Sequence, residues 1–207
     1  MKIILKKGLQ GSQRLPIPIF STIHIADAIG KDGEEFDVLV GLDKEHVAQL
    51  RELSLDINDT ELQKNTGDRN RFGLGSYKEW YEKNRIPFCL IHKRTDSLAA
   101  LVWFGPKDLG LKSIKFGKEK DIANRSAIEN GWHTISCRSY PGFRGTRLMG
   151  NFTKFAMEIY KERFPNIKFW SGVDVRNKGI VKLLTNLGFE TNEESSDLTE
   201  NWLVMTK

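Results

Sequence analysis

The second half of the chain alternates between two kinds of hydrophobic pattern, and this alternation constrains the fold most. Residues 132–139 and 167–175 are short apolar runs of the kind that form strands. Between them, apolar side chains recur every three or four positions, at Leu148, Met149, Phe152, Phe155, Ala156, Ile159 and Tyr160. That spacing predicts a helix of about four turns with one wide apolar stripe. The order strand, helix, strand predicts that this helix packs on a sheet.

A second helix is predicted after the strand of residues 167–175. Asn177 can accept a hydrogen bond at its start, and Gly188 suits a left-handed residue at its end. Apolar residues between these two have helical spacing, at Ile180, Val181, Leu184 and Leu187. Phe189 then re-enters a strand, and residues 201–206 predict the last strand.

The first half of the chain predicts further strands and helices. A compact apolar strand at residues 36–42 ends at Asp43, which can cap a first helix. Ser76, followed three residues later by a glutamate, predicts the start of a second helix. Residues 86–105 predict two strands joined by a polar turn at residues 95–97. The whole pattern indicates an α/β (α+β) fold.

The chain is long enough for one well-formed hydrophobic core. Residues 1–35 mix short apolar runs with turn residues, so we interpret them as an N-terminal extension whose role the sequence does not reveal. Residues 36–207 then form a single domain. Residues 106–131 are polar and too long for a simple connection, which indicates an insertion within that domain.

Composition narrows the class of protein. No window contains the roughly 20 apolar residues of a membrane span, and residues 1–13 are too interrupted for a signal peptide, so we expect a cytoplasmic protein. Cys89 and Cys137 lie in apolar runs without metal-ligand spacing, which predicts buried free thiols and no metal site. The net charge is +5, but 32 basic residues are scattered among 27 acidic ones. This scatter favours a solvated surface over a nucleic-acid-binding patch.

Two segments carry a resemblance to a known family. Residues 176–190, RNKGIVKLLTNLGFE, are similar to the N-x-x-A-x-x-L-Y-x-x-x-GF segment of the GNAT superfamily of acyl-CoA N-acyltransferases. Residues 141–150, PGFRGTRLMG, resemble the R/Q-x-x-G-x-G/A loop of that family, although Arg147 and Met149 replace small residues. With the order of predicted elements, the resemblance covers residues 36–207.

The resemblance implies a GNAT-like fold and activity. The fold would be a mixed, mostly antiparallel central sheet with helices on both faces. The activity would be direct transfer of an acetyl group from acetyl-CoA, the cosubstrate, to a primary amine, without a covalent enzyme intermediate. Many family members protonate the leaving thiolate with a tyrosine, and the matching residue here is Leu184. A non-catalytic acyl-CoA-binding module with the same fold is therefore the alternative.

The resemblance also implies which residues contact the cofactor. The strand of residues 132–139 would bind the pantetheine arm through Cys137, Arg138 and Ser139. The loop and the start of the long helix would bind the diphosphate through Arg144, Gly145, Thr146, Arg147, Leu148, Met149 and Gly150, and Asn177 would also contribute. Of the two arginines, Arg144 matches the family's R/Q position and is expected to matter more. The alternative is that both arginines are solvated residues at the end of an ordinary helix.

Three residues are candidate catalytic groups. His133 has an unperturbed pKa near neutrality and lies on the strand that the resemblance places beside the cofactor. Its alternation with Ile135 and Cys137 equally predicts a buried structural histidine. Glu129, just before that strand, is a second candidate base, or a solvated residue. Tyr140 is a candidate proton donor at the start of the loop.

The acceptor is not determined by the sequence. The segments expected to shape its pocket, residues 56–76 and 106–131, contain both acidic and basic residues. A small-molecule or peptide amine is expected, and the chain can also form a homodimer. Nucleic acid is a third class of partner, which only the net basic charge favours; a membrane partner is not expected.

Overall fold

The computed structural model describes residues 1–6, 15–111 and 131–207. Its strands form a nine-stranded sheet in the order β1-β2-β3-β4-β5-β6-β7-β9-β8. The strands are β1 (Lys2–Leu5), β2 (Ile23–Ile29), β3 (Glu35–Val40), β4 (Ile86–His92), β5 (Ser97–Pro106), β6 (Trp132–Ser139), β7 (Lys168–Asp174), β8 (Glu190–Thr191) and β9 (Trp202–Thr206). Neighbouring strands are antiparallel except β6 and β7, which are parallel. The predicted mixed, mostly antiparallel sheet is confirmed.

The helices are α1 (Lys44–Leu55), α2 (Thr60–Asn65), α3 (Tyr77–Tyr81), α4 (Met149–Arg163) and α5 (Lys178–Asn186). The three predicted caps are present: Asp43, Ser76 and Asn177 each accept a hydrogen bond from a backbone N–H three residues later. A π-helical turn at Arg69–Gly73 lies between α2 and α3. Among the described residues, no helix is both long and apolar enough to cross a membrane.

The helices cover both faces of the sheet. On one face, α4 buries its apolar stripe, including Phe152, Ala156 and Tyr160, in a core that it shares with α5. On the opposite face, α1 to α3 enclose a separate core that includes Leu50 and Trp80. This two-faced arrangement follows from the alternation along the buried strands, where successive side chains point to opposite faces.

The first 35 residues contribute two strands to the sheet. β1 pairs with β2, and β2 pairs with β3 along its whole length, interrupted by one bulge after His24. Ile25 and Ala28 of β2 are buried in the same core as α4. The sequence treats this region as an extension, because its apolar runs are short and broken by turn residues, so only pairing with distant strands reveals where they lie.

Candidate functional site

The parallel strands β6 and β7 separate partway along their length. Their last paired residues are Thr134 and Trp170, although β6 continues to Ser139. Just beyond the last pair, the Ser171 hydroxyl donates a hydrogen bond to the Ile135 carbonyl at 3.0 Å. Farther along, the facing edges of the two strands are no longer joined by ladder hydrogen bonds. Backbone N–H groups on these edges that the ladder no longer uses can therefore pair with a ligand.

A cleft of about 250 Å³ lies beside this separation. The strands contribute Ser136, Arg138, Gly172 and Val173 to its lining. The segment from the end of α2 through α3, residues 65–80, forms the facing wall, with the π-helical turn at its centre. Part of the predicted acceptor segment, residues 56–76, therefore does border the cleft.

A buried carboxylate organises the wall of the cleft. Asp68 is 0% exposed, and it accepts hydrogen bonds from Nε and Nη2 of Arg138 at 2.5 and 2.9 Å and from Nη1 of Arg71 at 2.5 Å. Burial alone would raise the pKa of Asp68, but the two guanidinium groups outweigh it and hold that pKa below its usual value. Asp68 is therefore ionised at neutral pH, and it ties β6 to the π-helical turn.

Aromatic rings form the floor beneath these charges. Trp103 of β5 makes edge contacts with Phe72 and Trp80, at centroid distances of 5.8 and 5.7 Å. The guanidinium carbon of Arg138 lies 4.7 Å from the Trp103 ring centroid, and that of Arg71 lies 5.6 Å from it. The rings restrict both arginines by cation–π contact and keep them in an environment of low polarity.

The structure brings two of the three predicted β6 residues to the cleft. Cys137 and Arg138 line it, whereas the Ser139 carbonyl accepts a hydrogen bond from Nε of Arg144 at 2.8 Å. The Cys137 Sγ lies 3.8 Å from the Thr153 hydroxyl of α4. Burial raises the pKa of the Cys137 thiol to about 11, so the thiol stays protonated at neutral pH and is a poor nucleophile.

Arg144 makes an internal ion pair, which the sequence does not predict. Its Nη1 and Nη2 each lie 2.5 Å from a carboxylate oxygen of Asp59, which is buried and also caps α2. Burial would raise the pKa of Asp59, but the hydrogen bonds from Arg144 and the Leu62 amide keep it below its usual value. Arg144 therefore joins the loop before α4 to the opposite face of the sheet, a role separate from the expected diphosphate contact.

Arg147 differs from Arg144 in its surroundings. Its side chain is exposed, and its φ of 62° lies in the left-handed region. Gly145, two residues earlier, also has a positive φ, of 77°. Leu148 caps α4 but provides no side-chain hydrogen bond, so the first amides of α4 have no capping side-chain acceptor.

The other predicted diphosphate-binding residues surround this helix start. Gly145 is exposed and Leu148 is buried, whereas Thr146, Met149 and Gly150 are half-buried. The Thr146 hydroxyl donates to the Phe143 carbonyl at 2.5 Å. These residues lie together in the loop before α4 and its first turn, but they do not line the cleft described above.

His133 does not reach the cleft. It is 0% exposed, and its Nδ1 lies 2.7 Å from the Tyr160 hydroxyl of α4, with the Phe164 ring packed against it. On a strand, a residue with this orientation points to the opposite face from Thr134, which lines the cleft. The structure therefore favours the structural interpretation of His133. We correct the catalytic interpretation because the side chain lies on the face of β6 opposite the cleft.

Of the other two catalytic candidates, Tyr140 is also not among the residues that line the cleft. Tyr140 is buried under α1 to α3, and burial raises its pKa well above the usual value, so its hydroxyl holds its proton too tightly and lies too deep to donate it to a ligand. Glu129 lies outside the described residues. Leu184 is completely buried in the core, so the position where the family has a tyrosine supplies no proton donor.

Asn177 borders the cleft at the end of β7. Its side-chain oxygen accepts a hydrogen bond from the Ile180 amide at 3.3 Å, and Asn177 and Ile180 both line the cleft. The predicted cap therefore lies at the border of the cleft, and its contact with a ligand stays a prediction.

Sequence reasoning missed several residues that shape the cleft, among them Asp68, Arg71, Trp103, Gly172 and Trp202. A local pattern could have drawn attention to the two arginines of the loop at residues 67–75. No local pattern could have identified the pairing of Asp68 with Arg138, because those residues are separated by 70 positions.

Comparison with known proteins assigns the fold. No family model and no curated protein sequence matches the chain. Many solved structures match the chain, including the following three. The GNAT domain of S. lividans PAT is 11% identical, with a TM-score of 0.59 over 87% of this chain and 94% of that one. Ribosomal-protein-S5-alanine acetyltransferase from Vibrio fischeri is 12% identical, with a TM-score of 0.55 over 82% and 92%.

The third match is spermidine N-acetyltransferase from Vibrio cholerae, solved in complex with CoA and spermine. It is 15% identical, with a TM-score of 0.53 over 82% of this chain and 92% of that chain. The chain thus has the fold of the GNAT superfamily, and the resemblance seen in the sequence is confirmed at the level of the fold. Since identities are this low, the reaction and its substrates require a separate argument.

Proposed function

We propose that this protein is an N-acetyltransferase that moves an acetyl group from acetyl-CoA to a primary amine. The observation that carries the proposal is the separation of β6 from β7 beside a cleft. An extended pantetheine arm can pair with the exposed backbone edge of β6, and an amine can approach the thioester from the cleft. A protein of the same fold has been solved with CoA and an amine, spermine, bound together.

The chemistry needs few specialised groups. Attack by the neutral amine nitrogen on the thioester carbonyl forms the C–N bond and breaks the C–S bond. The amine loses one proton, and the departing thiolate gains one. Because a thioester is already activated, holding the nitrogen in line with the carbonyl can supply much of the acceleration. A backbone N–H of β6 beyond Thr134 would stabilise the charge that develops on the carbonyl oxygen.

The start of α4 suits the CoA diphosphate. The amides of a first helical turn attract anions, and no side chain caps this helix. Gly145 and Arg147 have positive φ, a conformation that turns successive amides toward a common point. The exposed Arg147 guanidinium would add a charge-assisted hydrogen bond. In this proposal Arg147 contributes more than Arg144, which reverses the order expected from the sequence.

Replacing Arg147 with glycine should weaken CoA binding without lowering stability. Glycine adopts a φ of 62° readily, so the loop keeps its backbone while the guanidinium is removed. We expect a loss of about 1 to 3 kcal/mol, roughly 5- to 150-fold in the dissociation constant measured by calorimetry.

Pantetheine, which lacks the diphosphate, is the matched control ligand for Arg147→Gly. Its weaker binding should be the same for the parent and the variant. Arg144→Ala serves as the control variant: it should lower the melting temperature, because it leaves Asp59 buried without its partner. CoA binding unchanged in Arg147→Gly would remove this residue from the diphosphate site.

The proposed reaction is tested by adding acetyl-CoA and a panel of amines and measuring thiol release. Binding of CoA together with acetylation of an amine supports the proposal. Absence of CoA binding at millimolar concentration would overturn it. The completely buried Leu184 favours the second candidate, a non-catalytic acyl-CoA-binding module. That function predicts CoA binding with no thiol release from any amine of the panel.

A further inference from the structure

The described lining of the cleft is predominantly cationic. Its basic side chains are Arg71, Lys83, Arg85, Lys107 and Arg138, and its acidic ones are Glu79 and Asp174. Asp174 is itself paired with Arg176, whose Nε and Nη2 lie 2.9 and 2.7 Å from its two carboxylate oxygens. Among the described lining residues, basic side chains therefore outnumber acidic ones.

The two arginines on the wall share a single carboxylate. Asp68 is fully buried and accepts from both Arg71 and Arg138, so the three side chains together carry one net positive charge. Arg138 donates hydrogen bonds from Nε and Nη2 to Asp68 and from Nη1 to the Cys137 carbonyl. Arg71 binds Asp68 through Nη1 alone, which leaves Nη2 and Nε as donors toward the cleft.

The position of Arg71 is preorganised. The π-helical turn carries its backbone, Asp68 holds one end of its guanidinium, and its Cζ lies 5.6 and 5.7 Å from the ring centroids of Trp103 and Phe72. Its side chain is only 12% exposed. A guanidinium held in this way loses little conformational freedom when it binds an oxyanion, and its charge is screened less than that of a surface lysine.

These cations lie on the other face of the sheet from the proposed diphosphate site. Arg138 stacks on Trp103 under α1 to α3, whereas its neighbour Cys137 contacts Thr153 of α4. The start of α4, which suits the CoA phosphates, therefore does not account for the charge of Arg71 and Arg138. That charge borders the cleft.

We infer that the acceptor is a small amine that carries an oxyanion, a carboxylate or a phosphate, which binds Arg71. This inference rests on the proposed function and specifies its substrate class. A cleft of about 250 Å³ has room for a molecule of amino-acid size. Arg71 and Gly172 line the same cleft, so a molecule with its oxyanion on Arg71 keeps its amine in the cleft where β7 has separated from β6.

The same charges assist the chemistry. Nearby positive charges disfavour the ammonium form and lower the pKa of the bound amine, so a larger fraction is neutral and nucleophilic at pH 7. A cationic cleft therefore performs part of the task of a general base in a protein whose predicted base, His133, is buried away from the ligand.

Matched pairs of amines test this inference. The pairs are 4-aminobutyrate with butylamine, and O-phosphoethanolamine with ethanolamine, and spermidine is added as a polycation. With acetyl-CoA, we expect kcat/KM to be at least about tenfold higher for the member of each pair that carries an oxyanion than for the partner that lacks it. The first pair reports on carboxylate and the second on phosphate. Equal or higher kcat/KM for the amines without an oxyanion or for spermidine would overturn the inference.

Variants of Arg71 test whether this residue binds the oxyanion of the acceptor. Arg71→Gln should lower kcat/KM for the preferred anionic amine at least about tenfold and leave the dissociation constant of CoA unchanged. Arg71→Lys should retain part of the activity. Arg69→Gln is the matched control, because Arg69 lies on the same π-helical turn, is exposed and does not line the cleft. An Arg71→Gln variant that folds and retains full anion preference contradicts the assignment.

Binding without turnover separates this inference from the proposed function. Calorimetry measures binding of the amines with and without an oxyanion to the free protein and to its CoA complex. If CoA does not bind, the proposed function fails, while a preference of the free protein for amines with an oxyanion still decides the inference. If CoA binds but no amine with an oxyanion binds better than its partner without one, the inference fails and the proposed function survives.

Discussion

Replacing Asp68 with alanine should lower the free energy of unfolding by about 3 kcal/mol, within the range for breaking a buried ion pair. Asp68 is 0% exposed and neutralises part of the charge of Arg71 and Arg138, whose side chains are only 12% and 14% exposed. Without the carboxylate, two buried guanidinium groups face each other with no counter-charge. Denaturant unfolding of the variant and the parent measures the difference.

Asp108→Ala is the control for this substitution, because Asp108 is exposed and no side-chain contact is described for it. We expect a change of less than about 0.5 kcal/mol there. Equal stability of Asp68→Ala and the parent would show that the ion pairs do not support the fold. The variant should also lose preference among acceptors, since the π-helical turn is no longer tied to β6 through Arg138.

The effect of Asp68 should depend on pH in a defined direction. Burial would raise its pKa, but the two arginines hold the folded-state pKa below its usual value. A depressed pKa contributes stability that is present above the unfolded pKa of about 3.9 and is lost as pH falls through the folded pKa. The stability difference between the parent and Asp68→Asn should therefore be constant from pH 7 to 5 and shrink below about pH 4. A difference that already shrinks between pH 7 and 5 would mean a raised pKa.

Gly172→Ala should lower stability by about 2 kcal/mol or more, because the site has no room for a methyl group. A Cβ on Gly172 would lie 1.8 and 2.1 Å from two carbons of the Trp202 six-membered ring. Trp202 is buried against Trp170 and Val204, so its ring cannot move aside freely. Both Gly172 and Trp202 line the cleft. We therefore expect a lower melting temperature in thermal unfolding and a weaker affinity for CoA in calorimetry.

A second substitution tests whether the clash with Trp202 causes the loss of stability in Gly172→Ala. Trp202→Phe shortens the ring system that meets the new methyl group, so the double variant Gly172→Ala/Trp202→Phe should recover part of the stability lost in Gly172→Ala. Gly150→Ala is the control glycine, because a Cβ there meets no atom within 4 Å in helix α4. It should be as stable as the parent or more stable by about 0.5 to 1 kcal/mol. If Gly172→Ala is also as stable as the parent, close packing against Trp202 is not the reason that position 172 requires glycine.

Local patterns predicted most of the regular elements. The caps at Asp43, Ser76 and Asn177, the hairpin of β4 and β5, and the stripe of α4 are each encoded within a dozen or so neighbouring residues, where spacing and hydrogen-bonding groups act directly. The two segments that resemble the GNAT superfamily also lie within short stretches. Together they were sufficient to predict the fold, which the structural comparisons support.

The candidate site was predicted only in part, because local patterns do not show which distant residues meet. Sequence placed Cys137, Arg138 and Asn177 near a ligand, because their strand and helix end have recognisable patterns. It could not distinguish a buried His133 from an accessible one, since alternation along a strand does not say which face carries the cleft. Likewise, it assigned Arg144 to phosphate because nothing local reveals its partner, Asp59.

The sequence by itself determined the kinds and the order of most elements after residue 35, and the composition of the loop before α4. Only the tertiary structure decided which charges meet. Arg138 reaches Asp68 across 70 positions and Arg144 reaches Asp59 across 85, and each guanidinium helps to keep its buried carboxylate ionised. Such pairings depend on how the sheet brings distant segments of the chain together, which no local pattern encodes.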